Sequence, residues 1–319
     1  YSIDNSGSRG RPLNMSEAKK AVFPEAKTLS LRVMPGFTSF SRETWKRYRS
    51  VFQGAELPKL RTLHIWSGEG NCRVNIQSLV SVLDALPVAD QIHVLDMELL
   101  YLQGTSPHWS ELAQCFKSDY PAIESVNVSY DVEIYGDEGF GSFLGEFCSM
   151  SSSVRELYVG VVELKLSVDT WCNLFKSPYL LSLSVINTNM TDEHIMSIAS
   201  TTTKLKEVRF GVNSRLNNPK ECGKATAKML KRSKNLHKLW LWFSDEGVVQ
   251  EAFLLQVLKG TRYSGSLKIL LLNLDPAKLS ARCQKALEIV AQEKVFFERL
   301  MLIKLECRKK NEQIGSPVS

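Results

Sequence analysis

The residues and motifs that build common catalytic and metal centres are scarce in this sequence. It has five histidines and seven cysteines in 319 residues. No G-x-x-x-x-G-K-[ST] loop, H-E-x-x-H pair or paired C-x-x-C motif is present. The common phosphate-loop and zinc-binding classes are therefore excluded. We expect no enzyme activity, no cofactor and no metal.

Long apolar runs and paired cysteines are also missing. No apolar stretch approaches the roughly 20 residues that a membrane-spanning helix needs, so the sequence predicts no membrane span. The cysteine count is odd and no two cysteines are close in sequence, which favours free thiols in a reducing compartment. This predicts a cytoplasmic protein, with the nucleus as the alternative.

What the sequence does have is a repeated L-x-x-L-x-L pattern. Leu60, Leu63 and Ile65 form one copy, and later copies begin every 25 to 32 residues. The first residues of these later copies are Ile92, Ile123, Val154, Leu180, Leu205, Leu236, Leu267 and Phe297. A weaker copy at Ala26, Leu29 and Leu31 precedes them. A period of this size predicts a solenoid of about ten stacked repeats.

Each repeat combines two periodicities. The pattern itself alternates, which predicts a short strand, and the residues after it are spaced as in an amphipathic helix. Thr191 is expected to begin one helix, and Asn218 and Glu221 are expected to form a capping box at another. The repeats that start at Val154 and Leu180 are shorter, which predicts shorter helices.

The repeats resemble the leucine-rich repeat family, in particular its ribonuclease-inhibitor-like class. The resemblance implies an α/β horseshoe of about ten strand–helix repeats whose parallel sheet lines the concave side. We assign residues 20–307 to this domain, residues 1–19 to a flexible arm or linker, and residues 308–319 to a polar tail.

The resemblance also implies a non-catalytic domain that binds a protein partner on its concave face. Two larger settings remain open, and a free-standing scaffold or actin-regulator-like horseshoe is a third. The favoured setting is an innate-immune sensor of the nucleotide-binding leucine-rich type. The other is the substrate-capturing part of an F-box ubiquitin ligase.

Residues between the leucines are expected to face the concave side and to include the binding site. The candidates are Trp66, Tyr158, Arg209, His237, Lys238, Trp240 and Trp242. Exposed Trp and Arg side chains dominate many binding hot spots. We expect both Trp240 and Trp242 to lie outside the core, with Leu271 and Asn273 also on the open face.

Two sequence features invite other interpretations. Histidines 64, 93 and 237 are expected at one strand position in three repeats, as solvent-facing imidazoles rather than metal ligands. Glycines 136, 139, 141 and 145 are expected in a flexible turn before a helix.

Charge is segregated along the chain. Residues 204–238 carry a net charge of +9, whereas residues 111–146 carry −7, in a chain whose net charge is +6. Lys220, Lys224, Lys228 and Lys231 recur at helical spacing. They predict either a solvated helical stripe or a docking surface for an acidic partner, phosphate or RNA. Nucleic acid is the less favoured partner, because few aromatic residues accompany the charge.

Overall fold

The structure is a computed structural model of the 319-residue chain. It describes residues 2–3, 27–33, 58–67, 73–84, 86, 89–98, 101–128, 133–135, 139–150, 153–160, 166–186, 190–201, 204–212, 216–243, 250–274, 278–293 and 299–302. The predicted tail at 308–319 and nearly all of the predicted arm at 1–19 lie outside these residues.

Ten parallel strands stand at the ten predicted repeat positions and follow one another across a single sheet. An eleventh strand, β1 (Ser2–Ile3), pairs with the first of them at the edge. The ten are β2 (Thr28–Val33), β3 (Thr62–Ser67), β5 (Val94–Glu98), β7 (Ser125–Val128), β9 (Glu156–Val159), β10 (Ser182–Val185), β11 (Glu207–Val212), β12 (Lys238–Phe243), β13 (Ile269–Asn273) and β14 (Arg299–Leu302).

From β3 onward, every connection between consecutive strands of this sheet contains one helix. The described residues contain eight: α1 (Ile76–Leu83), α2 (Ser106–Asp119), α3 (Gly139–Met150), α4 (Val168–Lys176), α5 (Asp192–Ser200), α6 (Pro219–Arg232), α7 (Glu251–Arg262) and α8 (Ala281–Glu293). Strand and helix thus alternate once per repeat, which confirms the leucine-rich-repeat horseshoe as the fold.

The pattern residues form the core. The leucines that open the repeats, such as Leu180 and Leu205, are fully buried. The middle positions align across neighbouring strands, as in the pair Leu183 and Val208, and the third positions do the same. Each repeat therefore contributes one layer of apolar side chains, and each layer packs only on its neighbours.

A cluster of aromatic rings fills the core between α2 and α3. Trp109 lies edge-on to Phe140 with ring centroids 5.1 Å apart, and Phe143 stacks on Phe147 at 5.8 Å. Gly139 is required here, because a Cβ atom would lie 3.2 Å from Cγ of Trp109 and nearer still to Cδ1. The flexible-turn interpretation is wrong for Gly139, Gly141 and Gly145, which belong to helix α3, while Gly136 lies outside the described residues.

A second parallel sheet, not predicted from sequence, follows three of the early strands. It consists of β4 (Arg73–Asn75), β6 (Tyr101–Gln103) and β8 (Glu133–Tyr135). Each of these strands lies between a strand of the main sheet and the helix that follows it.

The helix caps agree only partly with those predicted from the sequence. Thr191 does cap α5, where the side chain of His194 accepts a hydrogen bond from the Thr191 backbone N–H at 3.2 Å. Asn218 precedes α6, but its side chain does not cap that helix and bonds Asp192 instead, at 3.1 Å. Glu221 pairs with Lys224. The short repeats do carry short helices, since α4 and α5 have nine residues each.

Candidate functional site

One line of side chains crosses the sheet on the face opposite the helices. It is formed by the residue between the two last apolar positions of each pattern, and we call it the outward row. In strand order its members from β2 to β13 are Ser30, His64, Asp96, Asn127, Tyr158, Ser184, Arg209, Trp240 and Leu271. This row brings predicted site residues from three separate repeats, Tyr158, Arg209 and Trp240, onto one surface.

A compact ion-pair network lies at the C-terminal end of this row. One carboxylate oxygen of Glu207 accepts from Arg209 Nε at 2.7 Å and from Lys238 Nζ at 2.8 Å. Burial alone would raise the pKa of Glu207, but hydrogen bonds from Lys238 and Arg209, together with their charges, lower it below its ordinary value. Glu207 was not a predicted site residue, yet it fixes the positions of two that were.

The tryptophan pair packs directly on this network. The guanidinium of Arg209 lies 4.6 Å from the ring centroid of Trp240, which in turn lies 6.0 Å from that of Trp242. Both tryptophans are half-buried rather than open, and Leu271 and Asn273 beside them are buried, so this end of the face is more closed than expected. The amide of Asn273 bonds the backbone of Phe243 in both directions.

The N-terminal end of the face is acidic. His64 Nε2 lies 3.2 Å from Glu98, and its ring stacks parallel to that of Trp66. The indole N–H of Trp66 donates to Ser30 Oγ at 2.8 Å, so Trp66 is held in place rather than projecting freely. Burial raises the pKa of Asp96, as does the charge of Glu98, against the opposing effect of His64 and of a hydrogen bond from Asn127.

The strand register overturns the expected grouping of the histidines. His64 lies within β3 and aligns with Asp96 of β5. His93 and His237 lie just before their strands, and their backbone N–H groups donate to the carbonyl oxygens of Arg61 and Lys206, which themselves precede β3 and β11. His93 and His237 therefore stand three positions earlier in the pattern than His64. His93 lies 3.6 Å from Glu124, and His237 is exposed.

Three polar atoms on the outward row are shielded and lack a hydrogen-bond partner among the described residues. They are Oδ1 of Asn127, Oγ of Ser184 and Nε1 of Trp240. Such atoms each cost roughly 1–3 kcal/mol when they stay unpaired. Sequence reasoning missed Asn127 and Ser184, because short polar residues in a strand give no signal until the register aligns them.

The predicted basic stripe does lie on one exposed face of α6. Lys220, Lys224, Lys228 and Lys231 are all exposed. Lys224 is partly neutralised by Glu221 at 2.6 Å, and the ammonium of Lys231 lies 4.6 Å from the ring centroid of Tyr263. A docking role for this stripe stays a prediction.

A single group of possible metal ligands occurs in the part of the chain that the structure describes. Asp84, Cys115 and Asp119 place their ligand atoms within 4.8 Å of one another. The Cys115 thiol donates to Asp84 Oδ1 at 3.5 Å, and burial, followed by the charge of Asp84, raises its pKa strongly. A protonated thiol is a poor metal ligand, so these residues fit a structural contact better than a metal centre.

Similarity to known proteins is found among solved structures. No family model matches this sequence, and no curated protein matches it. Among solved structures, one similar chain is the leucine-rich repeat-containing protein LegL7 from Legionella pneumophila, at 15% identity. The match covers 91% of this chain and 87% of that one, with a TM-score of 0.46, and no activity or partner follows from a likeness at this level. No helix within the described residues is long and apolar enough to cross a membrane.

Proposed function

We propose that this protein recognises an extended segment of a partner protein on the outward row. The observation that carries the proposal is the order of groups along the row. An acidic end at Asp96 and Glu98 and a basic end at Arg209 and Lys238 flank a middle section with unpaired polar atoms.

The spacing defines the chemistry of the segment. Strand β5 and strand β11 are four strand intervals apart, which is about 19 Å at the usual spacing of neighbouring strands. An extended chain covers that distance in roughly six residues. The segment should therefore carry a basic side chain at one end and an acidic side chain about six residues away.

The shielded polar atoms explain why a polar segment would bind in the middle. Asn127 Oδ1 and Ser184 Oγ lie in this middle section, and rotation of their side chains toward a partner would give them hydrogen bonds and recover the cost of leaving them unpaired. Arg209 and the tryptophan pair supply the residue types found at hot spots, and the surrounding charges steer association.

The larger setting belongs to the same proposal. We place the domain in the ribonuclease-inhibitor-like class because each repeat that begins at β3 through β13 carries a helix among the described residues, and we assign it a non-catalytic role inside the cell. A sensor of the nucleotide-binding leucine-rich type is our first choice, and an F-box ligase or a free-standing scaffold is the alternative. The sequence neighbouring this domain in its parent chain distinguishes the three.

A displayed library of random 12-residue peptides tests the proposal. Selection on the protein should enrich peptides with one basic and one acidic residue about six positions apart. Enriched peptides should lose binding to the charge-reversed variant Arg209→Glu and keep it with the matched variant Lys228→Glu, which alters a cation on α6. Failure to enrich such a pattern, or equal binding to both variants, would rule out the outward row as the site.

A further inference from the structure

The seam between helices α7 and α8 contains an apolar slot on the side of the sheet opposite the outward row. Its volume is about 250 Å³. Leu258 and Val290 are fully buried at its base, while Leu255, Ala286 and Ile289 are half-buried along its walls. The slot therefore presents aliphatic surface to solvent between two packed helices.

The neighbouring seam shows why this one is open. Helices α6 and α7 meet through glycine: a Cβ atom on Gly260 would lie 2.6 Å from Cβ of Ala227, and one on Gly223 would lie 2.6 Å from the carbonyl oxygen of Phe253. These backbones can approach closely, whereas the bulky side chains of Leu255 and Ile289 line the seam between α7 and α8. The slot is thus a consequence of the side chains at the seam.

Four cations border the slot. Lys259, Arg262, Arg282 and Lys285 are all exposed. Within the described part of the chain, no ion pair involves Lys259, Arg282 or Lys285. The positive surface continues onto α6 through Tyr263, whose ring is 65% exposed and has the ammonium of Lys231 4.6 Å from its centroid.

We propose that this slot is a second docking site, which takes an acidic amphipathic helix of a partner protein. The slot holds one or two aliphatic side chains rather than a small-molecule ligand, since ligand pockets usually begin at about 300 Å³. Helices dock by inserting apolar anchors spaced three or four residues apart into such grooves. Asp and Glu beside the anchors would pair with the four bordering cations.

Other anionic partners fit the slot less well. A nucleic acid has no aliphatic groups to fill it, and Tyr263 is the one strongly exposed aromatic ring in the described part of this surface. A lipid bilayer is flat, whereas the helices lie on the convex side of a horseshoe. The proposal is independent of the outward row, because the two surfaces share no residue.

Defined peptides test the proposal. Helix α7 has 12 residues and is about 18 Å long, so a helix-forming probe of about 15 residues spans the seam. The probe carries two leucines four residues apart, flanked by glutamates. One matched probe replaces the glutamates with lysine, and a second replaces the leucines with serine. Fluorescence anisotropy should show saturable binding of the first probe and binding at least about tenfold weaker for both matched probes.

Variants of the protein locate the site. The double variant Lys259→Glu with Lys285→Glu changes exposed side chains only. It should weaken binding of the acidic probe about tenfold or more. Ala286→Phe should do the same by filling the slot. The double variant Lys204→Glu with Lys234→Glu makes the same charge change away from the slot and should leave affinity within about twofold.

Several results would overturn the proposal. One is the absence of saturable binding by the acidic leucine probe, and another is equal binding of the serine probe, which would show a purely electrostatic contact. Loss of binding only in the Lys204 and Lys234 variant would place the site elsewhere. The protein could also bind phosphatidylserine vesicles or single-stranded RNA more tightly than the acidic leucine probe. If the slot variants weakened that binding, the slot would be assigned to those partners instead.

Discussion

Replacing glycine with alanine should have opposite effects on stability at two helical positions, Gly145 in α3 and Gly260 in α7. Apart from its chain neighbours and the backbone of its own helix, no atom lies within 4 Å of the position that a Cβ on Gly145 would take. Gly145→Ala should therefore raise the free energy of unfolding by about 0.5–1 kcal/mol, because alanine loses less backbone entropy in a helix.

Gly260→Ala faces a different environment. The new Cβ would lie 2.6 Å from Ala227 Cβ and 3.2 Å from the Ala227 carbonyl carbon, with Ala227 Cα nearer still. Because backbone atoms cannot rotate away, α6 and α7 must separate. We expect a loss of about 1–3 kcal/mol from overpacking, which exceeds the gain in helix propensity. Ala227→Gly should not rescue the variant, since the nearest atom is the Ala227 Cα.

Urea denaturation followed by far-ultraviolet circular dichroism measures both effects. The expected result is a higher midpoint for Gly145→Ala and a lower midpoint for Gly260→Ala, with similar slopes. A higher midpoint for Gly260→Ala would mean that the close approach of α6 and α7 is wrong, whereas a lower midpoint for Gly145→Ala would mean that the open space around Gly145 is wrong. Full rescue of Gly260→Ala by Ala227→Gly would show that only the Ala227 methyl group obstructs it.

Three further predictions concern the sheet. Leu239→Asp places a charge at a fully buried position and should destabilise the protein by several kcal/mol; a thermal melt matching that of the parent would mean the strand register is wrong. Trp240→Ala combined with Trp242→Ala should cost about 2–4 kcal/mol of partner binding and, because both rings are half-buried, should also lower the melting temperature; unchanged affinity for peptides selected on the outward row would remove the pair from the site. The pKa of Glu207 is lowered from 4.5 in the folded state, so its contribution to stability is complete above the unfolded pKa and is lost as pH falls through the lower folded pKa; the stability advantage over Glu207→Gln should therefore shrink below about pH 4.5, and an advantage that grows there would contradict the assigned ion pairs.

The order of helices and strands could be predicted from sequence because the apolar spacing is itself the physical cause of each element. The last two apolar residues of each pattern are two positions apart, and they can be buried on one face only if the chain is extended there. Apolar residues three and four apart need a helix. Stacking such units leaves little choice of topology, since a repeat cannot bury its apolar face alone.

The candidate site could be predicted only in part. The alternation of side chains along a strand placed Arg209, Trp240 and Tyr158 on the outward face, as expected. Alternation along one strand says nothing about which residues of neighbouring strands are aligned. The role of Glu207 was missed because its ion pair with Lys238 depends on that alignment. The grouping of His64 with His93 failed for another reason: His93 directly follows the first apolar residue of its pattern, whereas His64 lies between the last two.

The sequence by itself determined the repeat, the parallel sheet and the exposed lysine stripe, because each depends on spacing within one segment. Only the tertiary structure decided how open each surface is. Trp240 is half-buried because Arg209 and Trp242 pack against it from the neighbouring and the same strand. Likewise, α7 packs closely on α6 where Gly260 meets Ala227, but an open slot lies between α7 and α8 at Leu255. The sequence does not show this difference, because it depends on contacts between residues about thirty positions apart.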